Sequence, residues 1–326
     1  MNILTSSCHL DYYRLSSSTQ NHNHLPKMAP AVDPALEQLE AILKETLASV
    51  SDPKVKEKLT KAQRSRQNRF SQILNKFALD GQVALVTGGG QGIGRGIAHG
   101  LGEAGCKVAV ADLELSRAET VAAELQAKGI QSLALKVDVS KKQEVEDMVK
   151  KVLSTFGDLH IGVNNAGIVF HSDSEDTSEK EWTKTMDVNL NGVFYCCQAE
   201  AKHMLKKGYG RIINTASMSA TIVNHPQKQV AYNTSKAGVV HMSKTLGTEW
   251  CDRGVTVNCI SPGYADTELN RSESLLAVRT QWLNETPMHK LADVDDLVGG
   301  VLYLTSGLAN FTTGLDLIMD GGFTCW

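Results

Sequence analysis

No apolar run in this chain approaches the length of a membrane span, and its first 30 residues lack the apolar core of a secretory signal. The sequence therefore predicts no membrane partner and a cytoplasmic location. A mitochondrial presequence is left open but ill-formed: Arg14 and Lys27 are the only basic residues before Met28, and Asp11 opposes them. No block of Lys and Arg marks a nucleic-acid face, and the net charge is −3, so a nucleic-acid partner is not expected. The seven cysteines are odd in number, scattered and free of C-x-x-C spacing, and the ten histidines show no ligand spacing. That pattern argues for a reducing compartment and against a metal site. The adjacent Cys196 and Cys197 read as small apolar filler in a helical stretch.

The first 80 residues differ in character from the rest. Residues 1–33, rich in Ser, His and Asn near the start, read as disordered, and Met28 offers an alternative start. Residues 34–78 read as a helical extension: Leu36, Leu39, Ile42, Leu43 and Leu47 share one face, and a strongly basic segment follows from Pro53 to Phe77. It is either an accessory hairpin or an element for assembly.

From residue 79 to 326, short apolar strands alternate with amphipathic helices. Strands are expected at 83–87, 107–112, 132–138, 159–165, 211–217, 255–260 and 315–320. Helices are expected from Gly92, over 116–128, 141–156, 179–206, 232–252 and 293–305. Apolar strands of this kind belong to a parallel sheet covered on both faces. The expectation is an α/β fold, a Rossmann-type doubly wound sheet of seven strands in one domain.

The common dinucleotide pattern G-x-G-x-x-G is absent, and T-G-G-G-Q-G-I-G stands between the first strand and its helix. Gly88, Gly92 and Gly94 would let the backbone approach a pyrophosphate, with amides of the helix N-terminus as donors. Gln91 and Ile93 belong to the same turn. Asp112 ends the second strand, eighteen residues past Gly94, where a carboxylate accepts from both adenosine ribose hydroxyls and repels a 2′-phosphate. Gln91 and Leu113 stand where a 2′-phosphate site would want Arg or Lys, and Arg95 and Arg117 read as solvated; the pattern favours NAD over NADP. Asp138, beside Val139, is placed for the adenine edge or as a turn cap. In N-N-A-G, Ala166 and Gly167 permit close approach of a ribose, and Asn164 can tie adjacent strands.

Tyr232 and Lys236 stand four residues apart, so phenol and ammonium share a helix face. A cation beside a phenol favours phenolate, which suits acid/base work on alcohols and carbonyls. Together with Asn189, Ser217, P-G-Y-A-D-T (262–267) and D-G-G (320–322), these motifs resemble the short-chain dehydrogenase/reductase family over residues 79–326. The resemblance implies an NAD(P)-dependent oxidoreductase, commonly a homotetramer. It makes Tyr232 the acid/base and Lys236 the group that lowers its pKa while holding nicotinamide ribose. Ser217 would hold the substrate oxygen, with Ser219 its near competitor. Asn189 would hold a water in a proton relay. Pro262, Gly263, Ala265 and Thr267 would meet the nicotinamide side, although Thr267 also suits a helix N-cap.

The segments 217–233, 261–269 and 320–326 are similar to fungal polyol and ketose members of that family, the arabinitol and mannitol 2-dehydrogenases and sorbose reductases. This implies oxidation of a polyol secondary alcohol to a 2-ketose, or the reverse. A pentitol is the first choice and a hexitol the next. The substrate loop (218–229) and Tyr264 would bound the pocket, with Asn224, His225, Gln227 and Gln229 offering hydrogen bonds or facing solvent. A 3-oxoacyl thioester reductase, a small-alcohol or steroid oxidoreductase, and a non-catalytic NAD-binding scaffold are the rival readings.

Overall fold

A computed structural model describes residues 73–271 and 275–326. The expected disordered segment, and the extension as far as residue 72, lie outside the described residues. Among the described residues, no helix is long and apolar enough to cross a membrane.

Seven parallel strands form one sheet in the order β3-β2-β1-β4-β5-β6-β7. They are β1 (Val83–Thr87), β2 (Lys107–Asp112), β3 (Ser132–Lys136), β4 (Ile161–Asn164), β5 (Gly210–Thr215), β6 (Val255–Pro262) and β7 (Asp316–Met319). The principal helices are α1 (Gly92–Glu103), α2 (Leu115–Ala127), α3 (Lys142–Phe156), α4 (Glu179–Met186), α5 (Val193–Lys207), α6 (Val230–Trp250), α7 (Leu276–Glu285) and α8 (Val294–Thr305).

The doubly wound expectation holds, and β1 shows why. Its residues are buried on both faces. Val83 and Leu85 pack with Val145 of α3, Val193 of α5 and Val239 of α6. Ala84 and Val86 pack on the opposite side with Ile97 of α1, Val121 of α2 and Val301 of α8. Burial on both sides leaves no room for the polar alternation of a half-exposed strand. β1 pairs with β2 on one edge and β4 on the other, so the winding reverses beside it. A crevice opens at the carboxyl ends of such a pair.

Two local expectations change. The helix read over 179–206 is broken by a π-helical turn, Asp187–Gly192, which carries Asn189. An amide that bonds outward from the helix interior favours such a widened turn. Helix α7 had no expectation of its own, because its apolar residues do not recur on one face.

Helix α5 also places Glu200 against the sheet, fully buried over Gly162, where a Cβ would come within 2.3 Å of the carboxyl group. Glu200 Oε2 accepts from Asn164 Nδ2 at 3.2 Å, while Oε1 has no partner among the described residues. Burial pushes its pKa from the ordinary 4.5 up to about 8. Between those values the folded protein keeps a proton that the unfolded chain releases, so stability should fall as pH rises through that window, by on the order of a few kcal/mol. Thermal denaturation between pH 5 and 8 should show this slope in the wild type and a flatter one in Glu200→Gln; parallel slopes would assign the effect elsewhere.

Candidate active site at the switch point

The glycine turn leaves β1 with Gly88 at φ +61° and Gly92 at φ +52°, a region that favours glycine. A Cβ on Gly94 would stand 2.1 Å from the Gly88 carbonyl oxygen, so the helix start lies directly on the turn. Gln91, which precedes α1, caps it with no side-chain hydrogen bond. The first amides of α1 are therefore free to meet an anion. This cradle, tight against added side-chain atoms, fits a pyrophosphate.

A cleft of about 400 Å³ runs from this turn across the switch point. Gly88, Gln91, Gly92, Ile93, Asp112, Leu113, Asp138, Val139, Ala166, Gly167 and Thr267 all line it, as expected. Asp112 is held by two backbone amides, Gly90 N–H to Oδ2 at 3.0 Å and Glu114 N–H to Oδ1 at 3.1 Å. Asp138 also serves as a turn cap, accepting from the Ser140 hydroxyl at 2.6 Å. Arg95 is occupied by Glu124 through two hydrogen bonds of 3.0 Å. Arg117, expected only on a solvated face, also lines the cleft and has no ion pair among the described residues. Lys184 stands there too, without having been singled out from sequence.

Gly94, and Asn164 of the N-N-A-G loop, also expected among the cofactor residues, line neither this cleft nor the cavity beside it. Gly94 sits behind the turn. Asn164 is fully buried and donates to Asn214 Oδ1 at 3.0 Å, so it ties β4 to β5 rather than facing a ligand. Its neighbour Asn165 takes the cleft position, because successive strand residues point to opposite faces. Asn165 Nδ2 donates to the carbonyls of Thr87 and Gly88, both at 3.2 Å.

A second cavity, about 220 Å³, adjoins the cleft through shared walls at Ile93, Asn165, Gly167, Ile168 and Thr267. Ser217, Ser219, Gln229, Tyr232, Lys236, Pro262, Gly263, Tyr264, Ala265 and Thr267 line it. Ser217 Oγ donates to Ser219 Oγ at 3.0 Å and accepts from the Ser219 amide at 3.2 Å. Lys236 is buried, donates to the Thr215 carbonyl at 2.6 Å, and lies 5.5 Å from the Tyr232 ring centroid. Burial pulls Lys236 down to about 8. Burial also raises the pKa of Tyr232, and Ser217 opposes that rise by hydrogen bonding. The expected lowering by Lys236 thus gives way to desolvation, with Ser217 the group that counters it.

Asn189 departs furthest from its expected role. It is fully buried and lines neither cavity. Its Oδ1 accepts from the Ile168 amide at 2.9 Å, and its Nδ2 donates to the Ile168 carbonyl at 2.8 Å and Ser235 Oγ at 3.2 Å. Ser235 Oγ donates in turn to the Tyr232 carbonyl at 2.7 Å. The side chain is a strut between the loop after β4 and the first turn of α6, with its amide donors committed to protein. His225 also moves away from the pocket: it is exposed, beside Gln281 at 3.0 Å. Asn224 and Gln227 reach inward instead, as do His171, Asn270 and Trp282, which sequence reading did not single out.

The family model described as Enoyl-(Acyl carrier protein) reductase matches residues 88–324. The chain is 38% identical over 258 residues to a galactitol 2-dehydrogenase of Rhizobium johnstonii, covering 77% of this chain and 98% of that protein. It is 37% identical over 260 residues to an NADP-dependent mannitol dehydrogenase of Hypocrea jecorina, covering 78% and 96%. A solved short-chain type dehydrogenase/reductase of Mycobacterium marinum superposes with a TM-score of 0.76 at 38% identity, covering 78% of this chain and 100% of that one. The NADP dependence in the name of the second relative does not support the expected preference for NAD.

If Asn189 is a strut, Asn189→Ala should cost roughly 1–3 kcal/mol of stability by stranding the Ile168 amide and carbonyl. Chemical denaturation measures this, and an unchanged midpoint and slope would remove the structural role.

Proposed function

The chain belongs to the short-chain dehydrogenase/reductase family and is an oxidoreductase of CH–OH groups, and from that premise we propose that it interconverts a polyol secondary alcohol and its 2-ketose. The carrying observation is the polar wall of the smaller cavity, where Asn224, Gln227, Gln229 and Tyr264 join Tyr232 and Ser217. A polyol exchanges many hydrogen bonds to water for bonds to protein, so a wall of fixed donors and acceptors suits it. The polyol names of two relatives support the same class. A pentitol such as arabinitol remains the first choice, with mannitol or sorbitol next. A 3-oxoacyl thioester reductase is the second reading, favoured by a relative, 38% identical over 240 residues, that is named 3-oxoacyl-[acyl-carrier-protein] reductase.

In this reading Tyr232 moves a proton at its hydroxyl oxygen, taking it from the alcohol or giving it to the ketone. Ser217 holds the reacting oxygen, and the hydrogen bond from Ser219 backs it. Lys236, anchored by its bond to the Thr215 carbonyl, stands one helical turn from Tyr232 and would hold the nicotinamide ribose of the bound dinucleotide. The dinucleotide, when bound, supplies the hydride acceptor or donor. The glycine turn would hold its pyrophosphate and Asp112 its adenosine ribose.

Asp112 carries the choice of NAD. Its two amide donors anchor a carboxylate where a 2′-phosphate would have to stand. Arg117 at the same edge of the cleft, with the NADP-dependent relative, favours NADP as the second reading. Residues 79–326 form the proposed enzyme domain. A homotetramer is the proposed assembly, supported by exposed Trp182 on α4 and Phe194 on α5.

Tyr232→Phe should lower turnover by roughly 10²–10⁴-fold while dinucleotide binding, followed by fluorescence titration, persists. Unchanged turnover would reject Tyr232 as the acid/base. Steady-state kinetics with pentitols, hexitols, ketoses and an acetoacetyl thioester, each with NAD(H) and NADP(H), should favour a polyol or ketose with NAD(H). Equal or better efficiency with NADP(H) overturns the cofactor choice, and turnover of the thioester alone overturns the substrate class.

A further inference from the structure

One wall of the smaller cavity is assembled from three separate segments. Tyr264 follows β6 and is pinned by its backbone, whose carbonyl accepts from the Ala292 amide at 2.9 Å. Its ring stacks on Trp282 of α7, with centroids 4.1 Å apart and planes 9° apart. The edge of Phe323 meets it at 5.4 Å. Trp282 is only 2% exposed, so the stacked pair has little freedom.

The hydrogen bonds around this pair have a fixed direction. An indole nitrogen only donates, so the 3.3 Å bond from Trp282 Nε1 must end on the Gln227 carbonyl oxygen. The Gln227 amide nitrogen then faces Tyr264 and donates to its hydroxyl oxygen at 3.0 Å. Asn224 Nδ2 donates to the same oxygen at 3.2 Å. Asn224 is held in that sense by Gln229, whose Nε2 donates to Asn224 Oδ1 at 3.2 Å. A phenol oxygen accepts two hydrogen bonds and donates one. Both acceptor positions of Tyr264 are filled, and its own proton makes no hydrogen bond to the described residues.

We propose that Tyr264 is a dedicated hydrogen-bond donor to a substrate hydroxyl remote from the reacting carbon, with Gln227 the positioning residue that fixes this polarity through Trp282. The assignment rests on the polyol reading above and deepens it: the enzyme selects substrates that bring an acceptor oxygen to this wall. A ligand lacking that oxygen leaves a phenol proton unpaired in a cavity partly closed to water, and such a site discriminates strongly. Burial raises the pKa of Tyr264, with the two amide bonds opposing, so the proton to be donated is retained at neutral pH.

Gln227→Glu tests the polarity at constant shape. One oxygen of the introduced carboxylate still accepts from Trp282, and the other accepts the phenol proton, which then turns away from the substrate. Tyr264→Phe removes the donor outright. Both variants should lower the ratio of kcat/KM for arabinitol, mannitol or sorbitol to that for 2-butanol by roughly tenfold, with the loss in KM, and the double variant should lose no more than either alone. An unchanged ratio in either variant, through equal losses on both substrate types or none, overturns the assignment of Tyr264 and Gln227 and leaves the polyol reading standing. A wild-type protein that turns over no polyol or ketose removes the reading itself and the inference with it.

Discussion

Everything functional in this chain depends on β1 lying between β2 and β4. Its backbone is paired on both edges and its side chains are buried on both faces. The winding reverses at this strand, so the loops after β1 and β4 leave a gap instead of closing over each other. Thr87, the last residue of β1, holds that gap to a fixed width. Its hydroxyl oxygen accepts from the amides of Asn165 at 3.1 Å and Ala166 at 3.3 Å. The glycine turn and the N-N-A-G loop are thereby locked together at the place where a dinucleotide has to lie.

The polar chemistry behind the cleft is divided between two buried networks with different tasks. One, through Asn164, Asn214 and Ser243, crosses from β4 to β5 to α6, its second link a 2.9 Å bond from Asn214 to Ser243. The other runs from Ile168 through Asn189 and Ser235 to the carbonyl of Tyr232. Both bear on α6, the helix that carries Tyr232 and Lys236. A site that must hold reacting groups within a fraction of an ångström benefits from such backing, since a loose support costs rate. Glu200 stands at the edge of the first network with one oxygen unpartnered among the described residues, and its raised pKa marks the desolvation that this packing imposes.

Much of the fold was legible because its signals are local. Apolar strands a few residues long, separated by amphipathic helices, leave few alternatives to a doubly wound sheet, and glycines in a strand–helix turn announce where the backbone must bend. Tyr232 and Lys236 were legible for the same reason: four residues on one helix is a distance that sequence states directly. What the sequence left open has the opposite property. Asn164 and Asn165 are neighbours in sequence, yet one ties strands and the other faces the cleft, and only strand register separates them. Asn189 needs partners inside its helix, and the sequence does not say that the loop after β4 supplies them. Arg95 and Arg117 looked equivalent until Glu124, 29 residues away, was found to occupy only the first.

Sequence alone determined the fold class and the pair of residues best placed for proton transfer, since each depends on periodicity or short spacing that the chain carries within itself, and the order of its motifs carried the resemblance to the enzyme family. Tertiary structure decided the orientation of every group around that pair. Trp282 settles which end of Gln227 faces Tyr264, Ser217 counters the desolvation of Tyr232, and Arg117 shares the cleft with Asp112. These outcomes depend on which atoms meet across dozens of residues and on how much water is excluded between them. Donor, acceptor and pKa are properties of that surrounding, and residue identity leaves them open.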